Sequence, residues 1–475
     1  MAHFQKTKLA LSILPLTLCL SACDEDNTDP FAITAPDSYA FEVQTEGRNI
    51  NSVDYTEAST RLALIKELSY LISSDYLQQV GENQGSEAVL ALLNTIYEGG
   101  TFTNQISLVN SNIYNLYDPD NKQDDGPTPI LGLVDDNSLL EIKTFDQLAP
   151  NVSLKSIMPG IGAPLIQEKD GIKRFVGWTF LDVAFEDTPD YLIQKWFAAI
   201  ATIASDGDTT TKYINTLNYK VLIENFLMGS IAYLQSINIH LGNEIGLSSG
   251  LEQDTQSGTS PIENHWDMAF GYFGASINAN QLDIPELSST GAQDANGDGL
   301  IHYSGEYQYN FAQNAAKRDQ DSIYSSTRFF RDINQGFLMG RSYLANPYGN
   351  LTEDQIINYV VNEKNTISQQ WDASLAAKAI AHTNAIGAIA SLWDVSPVYD
   401  HIYIEQWSEL KSTLLIMQYN SNTKISLEKL ESFQQDVGIK PNKSANINLF
   451  LNKLFDMREE LQDLYEFSDE DTENW

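Results

Sequence analysis

The chain has 475 residues, 42% hydrophobic and 11% aromatic, with 64 acidic against 28 basic side chains and a formal charge of −36. This length holds two or three ordinary domains with a large core, and the aromatic content excludes a disordered acidic polymer. The charge excludes nucleic acid and anionic lipid surfaces as partners and suits solubility in an envelope or saline medium.

Residues 1–22 read as a signal peptide. Lys6 and Lys8 form its basic start, Leu9 to Leu20 its apolar stretch, and Leu20-Ser21-Ala22-Cys23 follows the bacterial lipobox. Small residues before the cysteine suit the peptidase, and acyl chains on Cys23 anchor the mature protein by additive methylene burial. The expected location is the bacterial cell envelope, lipid-anchored in the outer membrane on its periplasmic face or at the cell surface. Asp24 and Glu25 resemble the signal that retains some bacterial lipoproteins at the inner membrane. With Cys19 removed and Cys23 acylated, no thiol is left for a disulfide, a nucleophile or a metal. No internal run is long and apolar enough to span a bilayer.

Residues 23–57 are polar, contain Pro30 and Pro36, and are expected to form a tether. Helical periodicity then starts, with Leu62, Ile65, Leu68 and Ile72 on one stripe, and a second helix runs from Ser86 to Tyr97 before Gly99-Gly100. Phe102 to Pro159 is irregular and holds the acidic turn Asp118 to Gly126. Helices are predicted again over Tyr191–Ala204 and Thr211–Leu241, the latter with a stripe of Tyr219, Leu222, Phe226, Tyr233 and Ile237. These make an N-terminal bundle over 58–245. A Ser/Gly/Gln linker, 246–260, separates it from a C-terminal bundle over 261–466.

The second group comprises Asp321–Leu344, a helix opened by the capping box Thr352 to Gln355, then Asp372–Trp393, Ile402–Met417, Ser426–Gln434 and Ala445–Tyr465. Residues 467–475 form an acidic tail that is expected to fray. Strand-type alternation is scarce, so the fold class is all-α.

The clearest chemical signal is Asp294-x-Asn296-x-Asp298-Gly299. Calcium needs six or more hard oxygens; the three side chains and the Leu300 carbonyl supply four, and Gly299 permits the tight turn. The carboxylate Glu306 comes one residue later than in an EF-hand, whose twelfth position here is Gly305, so the competing reading is a metal-free turn.

His265 and Asp267, with Glu263, form a second candidate. Four-residue spacing puts Glu263 and Asp267 on one helical face and turns His265 elsewhere, so His265 is expected as a hydrogen-bonded core residue beside Trp266, Phe270 and Phe273. His240/Glu244 and His401/Glu405 are spaced as ligand pairs or surface contacts. Gly246-Leu247-Ser248-Ser249-Gly250 matches a nucleophile elbow only as a string, because a polar linker follows it. Neither a Walker loop nor a dinucleotide fingerprint occurs. A local basic excess spans Lys317, Arg318, Arg328, Arg331 and Arg341. Arg318, Arg328 and Arg331 are its candidate anionic-ligand residues, against the alternative that Arg318 and Arg331 pair with the Asp-rich loop.

Taken together, the lipobox, His265-Trp266-Asp267-x-Ala269-Phe270-Gly271-Tyr272-Phe273-Gly274, Asp298-Gly299 with Glu306-Tyr307, and Ala315-Ala316-Lys317-Arg318-Asp319 resemble the imelysin-like bacterial lipoproteins (domain of unknown function 4856) over about residues 38–466. The resemblance implies two four-helix bundles related by a pseudo-twofold, and a part in iron or haem acquisition with envelope uptake proteins. Imelysin itself was regarded as a metallopeptidase on a Gly-x-His-x-x-Glu motif. No histidine of this chain is followed three residues later by glutamate, which counts against peptidase chemistry. The expectation is therefore a non-catalytic envelope lipoprotein that binds a ligand or partner. A metal-dependent hydrolase using His265, Asp267 and Glu263, or a structural scaffold, are the alternatives.

Overall fold

The structure is a computed structural model and describes residues 32–45, 48–99, 152–166, 168–169, 172–173, 175–178, 188–206, 213–214, 217–254, 257–288, 305–319, 327–346, 349–444 and 447–475. Cys23, the acidic turn Asp118 to Gly126, and Asp294, Asn296, Asp298 and Leu300 lie outside these.

The described chain is mostly helical. Three small antiparallel hairpins accompany the helices: β1 (Glu42–Thr45) with β2 (Arg48–Asn51), β3 (Glu168–Lys169) with β4 (Ile172–Lys173), and β5 (Tyr213–Ile214) with β6 (Leu217–Asn218). Besides the five-residue helix Ile284–Ser288, the α-helices are α1 (Thr56–Ile72), α2 (Asp75–Gln84), α3 (Ser86–Glu98), α4 (Pro189–Ser205), α5 (Tyr219–Leu227), α6 (Pro261–Phe273), α7 (Asn310–Lys317), α8 (Phe329–Ala345), α9 (Glu353–Ile389), α10 (Pro397–Ile416), α11 (Leu427–Val437), α12 (Ile447–Tyr465) and α13 (Asp469–Asn474). None of the described helices is long and apolar enough to cross a membrane.

Most of these helices start where side chains supply the missing acceptors. Thr352 caps α9 and is bonded back by Gln355. No glycine or proline follows until Gly387, so the two expected helices run on as one of 37 residues, roughly 55 Å long. The expected helix over 211–241 begins only at Tyr219, after β6. Beyond Leu227 it continues as two π-helical segments, Met228–Tyr233 and Gln235–His240. Their i→i+5 hydrogen bonds widen the turn, a local geometry that concentrates at functional sites. Gly229 is required there, since a Cβ would lie 2.1 Å from Ile416 of α10.

Residues Ile33–Trp475 form one compact unit, and one hydrophobic core runs through residues on both sides of 246–260. The fully buried Trp371 of α9 shows why: its ring lies 4.9 Å from Phe273, 5.1 Å from Phe311 and 5.1 Å from Tyr233. Two expectations about the termini are corrected. The segment expected as tether is part of the core from Tyr39 on, because that ring stacks on Phe270 at 3.6 Å. The acidic tail is not frayed: Ser468 and Asp471 form a capping box, and Trp475 packs edge-on against Phe467 at 4.8 Å.

Candidate functional site

Helix α6 is positioned by its own first turn. Pro261 pre-sets the backbone, Ser260 and Glu263 form a capping box, and Gly274 ends the helix in a left-handed conformation at φ 78°. The two sides of α6 serve different purposes. Glu263 and Asp267, four residues apart, turn inward to Arg341 of α8, which is fully buried. Arg341 Nη1 donates to Glu263 Oε1, Nε donates to Asp267 Oδ1 at 3.0 Å, and Nη2 donates to Ser52 Oγ at 3.0 Å. Tyr39 also donates to Asp267 at 2.8 Å. Burial pushes the Asp267 carboxyl up to about 7, against the pull of Arg341 and Tyr39, with a smaller push from the neighbouring Glu263 charge. Arg341 is therefore a packing cation, and its charge is not offered to a ligand.

His265 faces the other way, into a pocket of about 420 Å³ between α1, the end of the π-helical segment and α6. This corrects the expectation of a core histidine. Trp266 does go inward, donating its indole N–H to Phe337 O at 2.9 Å, as do Phe270 and Phe273. The partner of His265 is His240, Nδ1 to Nδ1 at 2.9 Å, with ring centroids 5.1 Å apart. His240 was expected to work with Glu244; the structure brings it to His265 instead. Tyr272, one turn beyond Met268 on α6, lies 5.7 Å from the His240 ring and accepts a hydrogen bond from Arg61 Nη1 at 2.9 Å. Arg61 is buried, and its other end meets the exposed Glu57 at 2.5 Å.

This environment keeps the imidazoles neutral. Burial, the neighbouring His265 and the Arg61 charge push His240 down to about 3, and burial lowers His265 as well. Burial raises the Tyr272 phenol to about 12, so it stays a neutral acceptor beside Arg61. Two neutral rings joined through Nδ1 leave one bare Nε2 and one Nε2–H. The pocket thus combines a single nitrogen lone pair, a guanidinium with a displaceable partner, and apolar wall from Ile157, Ile239 and Met268. No group of three or more His, Cys, Asp or Glu side chains suited to a metal ion occurs among the described residues. The donor set would suit a single bond to a metal already held by another chelator better than the capture of a bare ion. It also separates the three residues a hydrolase would need, since Glu263 and Asp267 are bound to Arg341 behind the helix.

The other sequence candidates are dispersed. Glu306 is 2% exposed, and its charge adds, after burial, Asp267 and Asp54, to the rise in the Tyr55 phenol's pKa. Arg328 pairs with Asp332 at 3.2 Å on the surface. The Arg331 backbone N–H donates to Asp319, whose carboxyl burial pushes up to about 7. Arg318 stands apart from both and is half-buried. No sequence signal exposed Arg61, Tyr272 or the His240–His265 contact, because each joins residues far apart in the chain. No family model, curated protein or solved structure matches the chain.

Proposed function

We propose that this chain is a non-catalytic, lipid-anchored protein of the bacterial envelope that binds an iron-bearing ligand, haem or a ferric chelate, in the His240–His265 pocket. The observation that carries the reading is the neutral histidine pair with one free imidazole nitrogen beside Arg61. Iron bound there would supply a coordination position for that nitrogen, and Arg61 would pair with a carboxylate of the chelator once Glu57 gives way. The pocket volume falls within the range of small-molecule sites. Lipid anchoring rests on the lipobox at Cys23, and we propose an outer-membrane location and hand-over to envelope uptake proteins. The proposal includes an imelysin-like pair of four-helix bundles, for which the mostly helical architecture is the support. Calcium held by Asp294, Asn296, Asp298, Leu300 and Glu306 is a further part of it.

The test is absorbance titration of the purified mature protein with haem, followed by ferric chelates, alongside elemental analysis for calcium and iron. A saturating change in the haem spectrum that His265→Ala and His240→Ala each abolish supports the reading. No spectral change with any of these probes, in a protein that carries no iron, rejects it.

A further inference from the structure

Where α1 meets α5, a second group of charged residues gathers around the end of α7. Lys66 of α1 binds Glu224 of α5 at 2.6 Å. Lys378 of α9 binds Glu409 of α10 at 2.8 Å, and Asn225 bridges that pair, donating to Glu409 at 2.8 Å and accepting from Lys378 at 3.2 Å. Asn310 of α7 donates to Glu224 at 2.6 Å, and Ser69 donates to its other oxygen. Each carboxylate is thus consumed by a lysine and by neutral donors.

Two further cations enter the same space without a carboxylate of their own. Lys317 feels the charges of Arg318, Lys378, Lys66 and Glu409, and Arg318 feels Glu409. His382 is held neutral, down at about 4, by burial together with Lys378 and Arg318 and despite Glu409. Among the described residues the group therefore holds four cations against two anions. Two buried donors in it lack an acceptor: Nδ2 of Asn314 on α7 and Nε of Arg318, which caps the end of that helix four residues later. A buried guanidinium N–H without an acceptor is costly, and lysine and arginine of like charge repel at close range. Lys317 is exposed and opens the group to solvent.

We propose that this group, centred on Arg318 and Asn314 and framed by Lys317, Lys66 and Lys378, binds a small doubly charged oxyanion of the phosphate class. Two negative charges match the surplus, and tetrahedral oxygens supply the acceptors that the Arg318 Nε–H and the Asn314 amide lack. The site is separate from the histidine pocket and shares no residue with it. Arg328 and Arg331, which accompany Arg318 in sequence, take no part, since Arg328 is engaged with Asp332 and Arg331 lies beyond Asp319.

The test measures thermal unfolding and calorimetric binding of the full mature chain with inorganic phosphate, against sodium chloride at matched ionic strength. The wild type should show a saturable rise of a few degrees in Tm with phosphate alone. Arg318→Met, which keeps the apolar stem and removes the buried N–H that lacks an acceptor, should fold and lose about tenfold or more in phosphate affinity. Lys378→Gln should weaken binding as well, because it lowers the cation surplus and leaves the Glu409 carboxylate free to repel the anion. Equal responses to phosphate and chloride, or an unchanged phosphate response in Arg318→Met, overturn the proposal.

Discussion

Replacing Arg341 with methionine tests the internal charge group most directly. Arg341 is fully buried, donates to Glu263, Asp267 and Ser52, and lies 4.9 Å over the Phe41 ring. Methionine keeps most of the stem, so the packing loss is small; the main cost is two buried carboxylates left without their cation. Removing one partner of a buried pair costs about 3–5 kcal/mol. Glu263 keeps its bonds from Ser260, and Asp267 keeps the one from Tyr39, which places the expected loss near the lower end. With an unfolding entropy of about 2.1 cal/mol/K per residue, a loss of ~3 kcal/mol lowers Tm by roughly 3 °C for a chain of this length. The deficit should depend on pH. Asp267 already titrates near 7 with Arg341 present, and without it that carboxyl takes its proton at still higher pH, so the deficit shrinks as pH falls from about 9 to 7 and levels off below. Urea unfolding at both pH values measures this. The triple variant Arg341→Met, Glu263→Gln, Asp267→Asn removes the charges together and should recover most of the loss, because an apolar or neutral replacement of a whole buried group is nearly neutral. A single variant that loses less than about 1 kcal/mol at pH 7, or a triple variant no better than the single, would refute the reasoning.

The histidine pair predicts acid sensitivity of opposite sign. His240 titrates near 3 in the fold and near its ordinary 6.5 when unfolded, so the unfolded chain binds the extra proton and stability falls as pH drops through that window. His240→Phe should flatten this part of the profile by on the order of 2–4 kcal/mol relative to wild type, read from urea midpoints between pH 7 and 4. Gly340→Ala puts a Cβ 2.0 Å from the Trp266 ring and should cost about 1–3 kcal/mol, seen as a lower urea midpoint with unchanged slope. Deleting residues 468–475 removes the cap of Ser468, the Thr472 carbonyl that accepts from Asn384, and Trp475 against Phe329 and Phe467. It should lower Tm by a few degrees, whereas a loose tail would leave Tm unchanged.

Much of the local structure was legible in the sequence by itself. Capping residues and apolar stripes are short-range facts, so Thr352 with Gln355 marks a helix start, and Leu62, Ile65 and Leu68 are buried together. The opposition of His265 to Glu263 and Asp267 also follows from helical geometry alone. What each side of α6 meets was decided only by the tertiary structure. Arg341 lies 74 residues from Asp267 and His240 lies 25 from His265, beyond any spacing rule. The same basic run contains a neutralised arginine at 341, a surface pair at 328 and an unpaired buried donor at 318. Charge counted along the chain cannot tell these apart, because the cost of a buried charge depends on the acceptors that packing brings to it.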